Sequence, residues 1–200
     1  MYTKTALLSF LGLTSAAPLD ETCTWVGGAY GQPIQCPDGY MSLGYCGSGQ
    51  TADCNGYHTE MLCCPTSASS NCNWKGGADG TLVQCQNGQS VRGICGSGIR
   101  ADCRTSSTKQ FYSQLCCDTA DYQIDSSSLS YMQYSDYGVR IQCNEGEAYI
   151  AGCGSGAIPA CTGVNTEHGF TLEEIIEIKK QVGLRKGNFN ALKCQAVTFN

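Results

Sequence analysis

The sequence predicts a small, disulfide-rich, mainly β fold: three tandem antiparallel β modules, the third with one inserted α-helix. Three observations predict it. The first is composition. Of 200 residues, 16 are cysteine and 25 are glycine, whereas Leu, Ile, Val and Phe together number 35. So few large aliphatic residues do not fill an ordinary core, and a formal net charge of −5 is too small for a disordered polyelectrolyte. The second is an internal repeat of cysteine spacings. The third is a set of short, partly alternating runs bounded by glycine-containing turn dipeptides. A large α/β enzyme, a coiled coil and a multi-span membrane protein are excluded by the same composition.

Residues 1–16 read as a secretory signal peptide. Lys4 gives a basic start, Ala6 to Leu13 is an apolar run, and Thr14-Ser15-Ala16 supplies the small residues that cleavage requires. The run is shorter than the ~20 residues that cross a bilayer, and no later stretch is longer or more apolar. The expected location is therefore secreted and extracellular, in an oxidising compartment where an even cysteine count implies disulfides. No Asn-x-Ser/Thr sequon occurs.

The first two modules span 23–65 and 72–118, joined by a polar linker at 66–71. Their cysteines, Cys23, Cys36, Cys46, Cys54, Cys63 and Cys64, then Cys72, Cys85, Cys95, Cys103, Cys116 and Cys117, share gaps of 13, 10 and 8 over the first four. Cys23-Thr-Trp25-Val-Gly-Gly matches Cys72-Asn-Trp74-Lys-Gly-Gly, and Gln precedes cysteine at Gln35, Gln84 and Gln142. Asp38-Gly39 and Asn87-Gly88 predict type I′ hairpins, with Glu145-Gly146 as a poorer version. Between 17 and 118 only 12 residues are Leu, Ile, Val or Phe, so each module relies on its crosslinks.

A second linker at 119–129 leads to a degenerate third module at 130–195, with Cys143, Cys153, Cys161 and Cys194. Ser130 stands where Cys23 and Cys72 stand. Aligning Leu192-Lys193-Cys194 with Leu62-Cys63-Cys64 removes a cysteine at each of two places. This predicts Cys23–Cys63 and Cys72–Cys116, or, if the alignment slips by one, partners Cys64 and Cys117. Cys46–Cys54 and Cys36–Cys64 complete the favoured set, eight bonds in all. Thr171-Leu-Glu-Glu174 is a capping box ahead of Leu172, Ile175, Ile176, Ile178 and Val182, so the insertion predicts a helix at about 171–183. The linkers favour three beads in contact.

Chemistry is sparse. The two histidines, His58 and His168, do not recur among the copies. Gly47-Ser48-Gly49 is a recurring turn and not a nucleophile elbow. No Cys-x-x-Cys exists, and no loop is dense enough in oxygen ligands for calcium. The expectation is a non-enzymatic protein without cofactor or metal. Residues 23–64 carry Asp38, Asp53 and Glu60 and no Lys or Arg. The second module carries Lys75, Arg92, Arg100, Arg104 and Lys109 against Asp79 and Asp102, so the two are opposite in sign. Trp25, Tyr30, Tyr40, Tyr45 and Trp74 are the candidate binding residues, because aromatics offer apolar area with a polar tip. The expected function is recognition of a glycan or cell-wall polymer. An effector or toxin-like protein acting on another organism's proteins is the first alternative, and an extracellular matrix protein the second. Overall acidity gives no reason to expect a nucleic-acid partner.

Overall fold

A computed structural model describes residues 23–48, 51–66, 69–78, 80–96, 102–103, 110–120, 122–125, 127–154, 161 and 190–199. The expected signal peptide and the expected helix at 171–183 lie outside the described residues. Within them the chain is all β, and all sixteen cysteines are bonded, in eight disulfides.

Residues 23–65 form β1 (Thr24–Gly28), β2 (Ile34–Gln35), β3 (Tyr40–Gly47) and β4 (Thr59–Pro65). Next come β5 (Ser69–Gly77), β6 (Val83–Gln84), β7 (Gln89–Gly96) and β8 (Tyr112–Thr119). The last part holds β9 (Tyr122–Ile124), β10 (Tyr131–Ser135), β11 (Ile141–Gln142), β12 (Glu147–Gly154) and β13 (Asn190–Phe199). Residues expected as linkers thus carry strand: Ser69 and Ser70 open β5, and β9 pairs with β13.

Independent beads are not what forms. The short strand of each segment leaves its own sheet and adds to a neighbour. β2 pairs with β7, β6 with β12, and β11 with β3, so the exchange runs around a closed ring. The three sheets read β1-β4-β3-β11, β5-β8-β7-β2 and β10-β13-β12-β6, the same order each time. One hydrogen bond marks each junction: Cys36 N–H to the Arg92 carbonyl (2.9 Å), Cys85 N–H to Ile150 (2.9 Å) and Cys143 N–H to Leu43 (2.8 Å). The exchanged strands insert Ile34, Val83 and Ile141, each less than a tenth exposed, into one shared core. Full burial of such a side chain contributes about 1.5–3 kcal/mol. A lone segment forfeits that, which is why closure, and not the linkers, sets the architecture.

The turn before β3 is the reason the chain can leave its sheet. Positive φ is found at Gly39 (80°), Gly88 (83°) and Gly146 (78°) but not at Asp38, Asn87 or Glu145. Tyr40 N–H bonds the Pro37 carbonyl at 3.1 Å, with equivalents at Gln89–Gln86 and Glu147–Asn144. A four-residue turn with φ > 0 only at its third position is type II. The expected type I′ hairpins are therefore corrected to type II corners between sheets. Glu145 is no handicap, because the second position of a type II turn takes negative φ.

The core meets at three tyrosines. Tyr45 stacks on Tyr149 at 5.9 Å between ring centroids with 7° between planes, and tilts against Tyr112 at 6.0 Å. The Tyr112 and Tyr149 hydroxyls lie 2.5 Å apart, and the Tyr45 hydroxyl donates to the Cys153 and Ala191 carbonyls while accepting the Ala191 N–H at 3.0 Å. Gly152 makes this possible: a Cβ there would collide with the hydroxyls of Tyr149 and Tyr112. Burial holds all three phenols above the ordinary tyrosine range.

The pairing within segments is Cys23–Cys64, Cys36–Cys63 and Cys46–Cys54, then Cys72–Cys117, Cys85–Cys116 and Cys95–Cys103, then Cys143–Cys194 and Cys153–Cys161. Cys46–Cys54 is as expected. The favoured Cys23–Cys63, Cys72–Cys116 and Cys36–Cys64 are corrected to the slipped alternative. Strand register gives the reason. Thr24 faces Cys63, Asn73 faces Cys116 and Tyr131 faces Cys194, so Cys194 matches Cys63 and Cys116, and Gln195 stands at the place of Cys64. On β4, Cys63 points into the core toward Cys36, and Cys64 points to the other face toward Cys23.

Candidate functional site

The seams between segments are the places where the surface is concave. Each long strand β3, β7 and β12 has a bulge, between Ser42 and Gly44, Val91 and Gly93, and Tyr149 and Ala151. The extra residue is Leu43, Arg92 or Ile150. A bulge takes its side chain out of the regular alternation and re-aims it. Its carbonyl is also the one that receives the incoming cysteine N–H across the seam. Bulge and strand exchange therefore coincide, and the bulged side chain floors whatever lies between two segments.

Two seams are open. One groove, about 200 Å³, is lined by Leu43, Leu62 and the Cys23–Cys64 bridge on one side and by Gln142, Asn144 and Glu145 on the other. The second, about 220 Å³, has Ile150 and Ile124 as apolar floor and Gln84, Gln86, Asn87, Gln89 and Gln195 around it. The two are built from matching positions, with Leu43 for Ile150 and the 142–145 turn for the 84–87 turn. Gln195 is fixed by its Nε2 donating to the Asp125 carbonyl at 2.7 Å, and Gln89 by its Nε2 donating to Asp118 at 3.0 Å. The Gln89 Oε1 is buried and has no hydrogen-bond partner. Asn71 and Gln89 together hold the Asp118 carboxyl below the usual carboxylate range. The second groove, an apolar floor with several neutral amides, presents donors and acceptors without a charged lining residue, whereas the first adds the Glu145 carboxylate.

The third seam is closed by its own bulge residue. Arg92 Nε donates to the Cys36 carbonyl (3.3 Å), Nη1 to the Ser69 hydroxyl (3.1 Å) and Nη2 to the Asp38 carboxylate. The opposite charges of the first two segments thus meet here. A second ion pair joins the first and third segments. Arg140 donates from Nε and Nη2 to the two oxygens of Glu60, both at 2.9 Å, and Glu60 is buried. The same guanidinium lies 4.5 Å over the Trp25 ring.

The five candidate aromatics do not form one face. Tyr45 is 1 % exposed and belongs to the core, so it is withdrawn as a surface residue. Trp25 is half-buried beneath Arg140, Trp74 half-buried against Met41, Leu115 and Cys117, and Tyr40 packs on the central cluster. Tyr30 is half-buried and meets His58 edge-on at 5.8 Å. Sequence reasoning missed Leu43, Arg92 and Ile150, although aligning the three Cys-Gly-Ser-Gly runs places them together.

Ser48 is structural, as the turn reading expected: it is 1 % exposed, and its hydroxyl accepts the Asp53 N–H at 3.1 Å and bonds carbonyls of the same loop. Cys143, Glu147 and Cys194 cluster closely enough for metal ligation, but both sulphurs are spent in one disulfide and offer no thiolate. Among the described residues no helix is long and apolar enough to cross a membrane, and eight disulfides are typical of extracellular proteins. No known protein family, curated protein or solved structure matches this chain.

Proposed function

We propose that the chain is a secreted, non-enzymatic recognition protein whose open seam grooves hold units of a neutral glycan or cell-wall polymer. The observation that carries this reading is the duplicated groove: matching positions on two seams build an apolar floor rimmed by amides, with Glu145 in the first groove where Asn87 stands in the second. Each groove is smaller than the ~300–1,000 Å³ of a drug-sized cleft, and so takes one ring-sized unit with modest affinity. Two grooves on one rigid ring convert weak sites into avidity toward a repeating polymer.

Calorimetric titration and pulldown with neutral cell-wall oligosaccharides and polymers test it. Leu43→Arg places in the first groove the residue that the third seam already accommodates, and Gln86→Arg places the same side chain on the exposed rim of the second, where Ile150 itself is buried against Tyr122 and Ala148. Each single variant halves the stoichiometry, and the double variant abolishes binding with the circular dichroism unchanged. A double variant that still binds at full stoichiometry overturns the reading.

A further inference from the structure

Arg92 sets its seam apart. The side chain is only 15 % exposed, so its charge is largely out of water. Two of its donors are satisfied by neutral acceptors, the Cys36 carbonyl and the Ser69 hydroxyl, which fix the guanidinium in place. Its anionic partner is Asp38, whose side chain is 98 % exposed at the corner of a type II turn. The two halves of this pair are unequal. A largely desolvated guanidinium requires an anion beside it. An exposed carboxylate on a turn gains little from the pairing, because water serves it almost as well. The anion is therefore the exchangeable member, and Nη2, the guanidinium nitrogen that faces it, donates equally well to another carboxylate oxygen in its place.

We propose that this seam is an acid-reading subsite, in which the carboxylate of an acidic saccharide, a uronate, replaces Asp38 on Arg92. Ser69 stands where the second open groove has Ile124: each is the position of its strand that pairs three residues beyond the matching cysteine, Ser69 with Thr119 and Ile124 with Val197. A hydroxyl thus takes the place of an apolar wall beside the charge. The choice of a saccharide as carrier rests on the reading of the neighbouring grooves. The carboxylate chemistry rests on Arg92 and Asp38 alone. The ring would then read a polymer at three seams, two for neutral units and one for an acidic unit.

The test is calorimetric titration of the full chain with a uronic-acid tetramer, the same tetramer methyl-esterified at its carboxyls, and a tetra-aspartate peptide. The free acid binds at least tenfold more tightly than the ester, and more weakly as salt rises. Arg92→Leu, which installs the residue found at the same bulge in the first segment, lowers affinity for the free acid at least tenfold. Asp38→Asn removes the internal competitor and raises it three- to tenfold, an effect that a purely structural ion pair does not produce. Equal binding of acid and ester, no loss in Arg92→Leu, or weaker binding in Asp38→Asn overturns the subsite. Preference for the peptide with the same variant pattern overturns the saccharide as carrier. No binding of neutral oligosaccharide by the unaltered chain, with the uronate pattern intact, overturns the neutral grooves and leaves this subsite standing.

Discussion

Two disulfides in the second segment separate what a crosslink does to the unfolded chain from what it does to the packed core. Cys72–Cys117 closes 45 residues and Cys85–Cys116 closes 31. Loop entropy alone gives about 4 kcal/mol for the first and about 3.7 for the second, so it ranks the longer loop as slightly more stabilising. The surroundings reverse that order. Cys85 and Cys116 sit in the central cluster with Val91 and Ile94, at 5 % and 0 % exposure, whereas Cys72 is exposed. Replacing the inner pair by alanine deletes two buried, methyl-sized groups, which adds roughly 1–3 kcal/mol. The third segment also shows the outer bridge to be dispensable locally. Ser130 and Gln195 stand at those positions, yet Tyr131 and Cys194 still pair directly beside them. The perturbations are Cys72→Ala/Cys117→Ala and Cys85→Ala/Cys116→Ala, and the assay is thermal unfolding followed by circular dichroism. The inner variant melts lower by roughly 2–10 °C, taking 2–4 °C per kcal/mol for a chain of this size. Equal melting, or a lower melting temperature for the outer variant, refutes the argument that packing and not loop length decides.

Other expectations follow from the same geometry. Removing Arg140 with Arg140→Met strands the buried Glu60 carboxylate and costs about 3–5 kcal/mol, an upper range because Arg140 itself is 41 % exposed; Glu60→Gln/Arg140→Met recovers most of it in urea titration. Gly152→Ala drives a methyl into the Tyr112 and Tyr149 hydroxyls and costs roughly 1–3 kcal/mol, measurable as a lower urea midpoint at constant slope. The buried phenols have folded pKa values above the unfolded value of about 10, so the neutral form favours the folded state. Stability contributed this way is complete below about pH 10 and is lost as pH rises above it; absorbance titration at 295 nm should show these tyrosines ionising only together with alkaline unfolding. Residues 23–65 expressed alone, lacking a β11 to cover β3 and a β7 to receive β2, give no cooperative thermal transition.

Much of this was legible in the cysteines. Their spacing, the thin aliphatic content and the paired Trp25 and Trp74 identified a disulfide-held β protein and the existence of all eight bonds. What failed did so for local reasons. The Cys63–Cys64 pair could not be split between partners from spacing alone, because a one-residue slip at Cys194 preserves every other coincidence. It is the register of β10 on β13 that removes the ambiguity. The beads reading failed because Ile34-Gln35, Val83-Gln84 and Ile141-Gln142 are too short to announce themselves as strands, and nothing in their sequence says which sheet receives them. One candidate binding residue failed for a related reason. Tyr45 was counted among the aromatics of a nearly uncharged segment, but it lies one residue beyond the close contact of Gly44 with Gln142, where exchange of β11 buries it.

The bulge residues explain how a ring of similar parts can carry different surfaces. A residue in regular strand alternation faces either the core or the sheet's outer side, and its replacement is judged by packing. Leu43 and Arg92 escape much of that judgement, whereas Ile150 packs on Tyr122 and Ala148; at all three the ladder skips the residue and its backbone carbonyl, common to all residues, makes the junction. Their side chains are thus free to differ while closure is preserved. The difference between a leucine and an arginine there is the difference between an open apolar floor and a filled, charged seam. Variation that would unfold the protein at Ile94 or Tyr149 changes only the seam at Arg92. A fold closed by backbone exchange at a bulge therefore keeps its architecture and its recognition surface on separate atoms of the same residue.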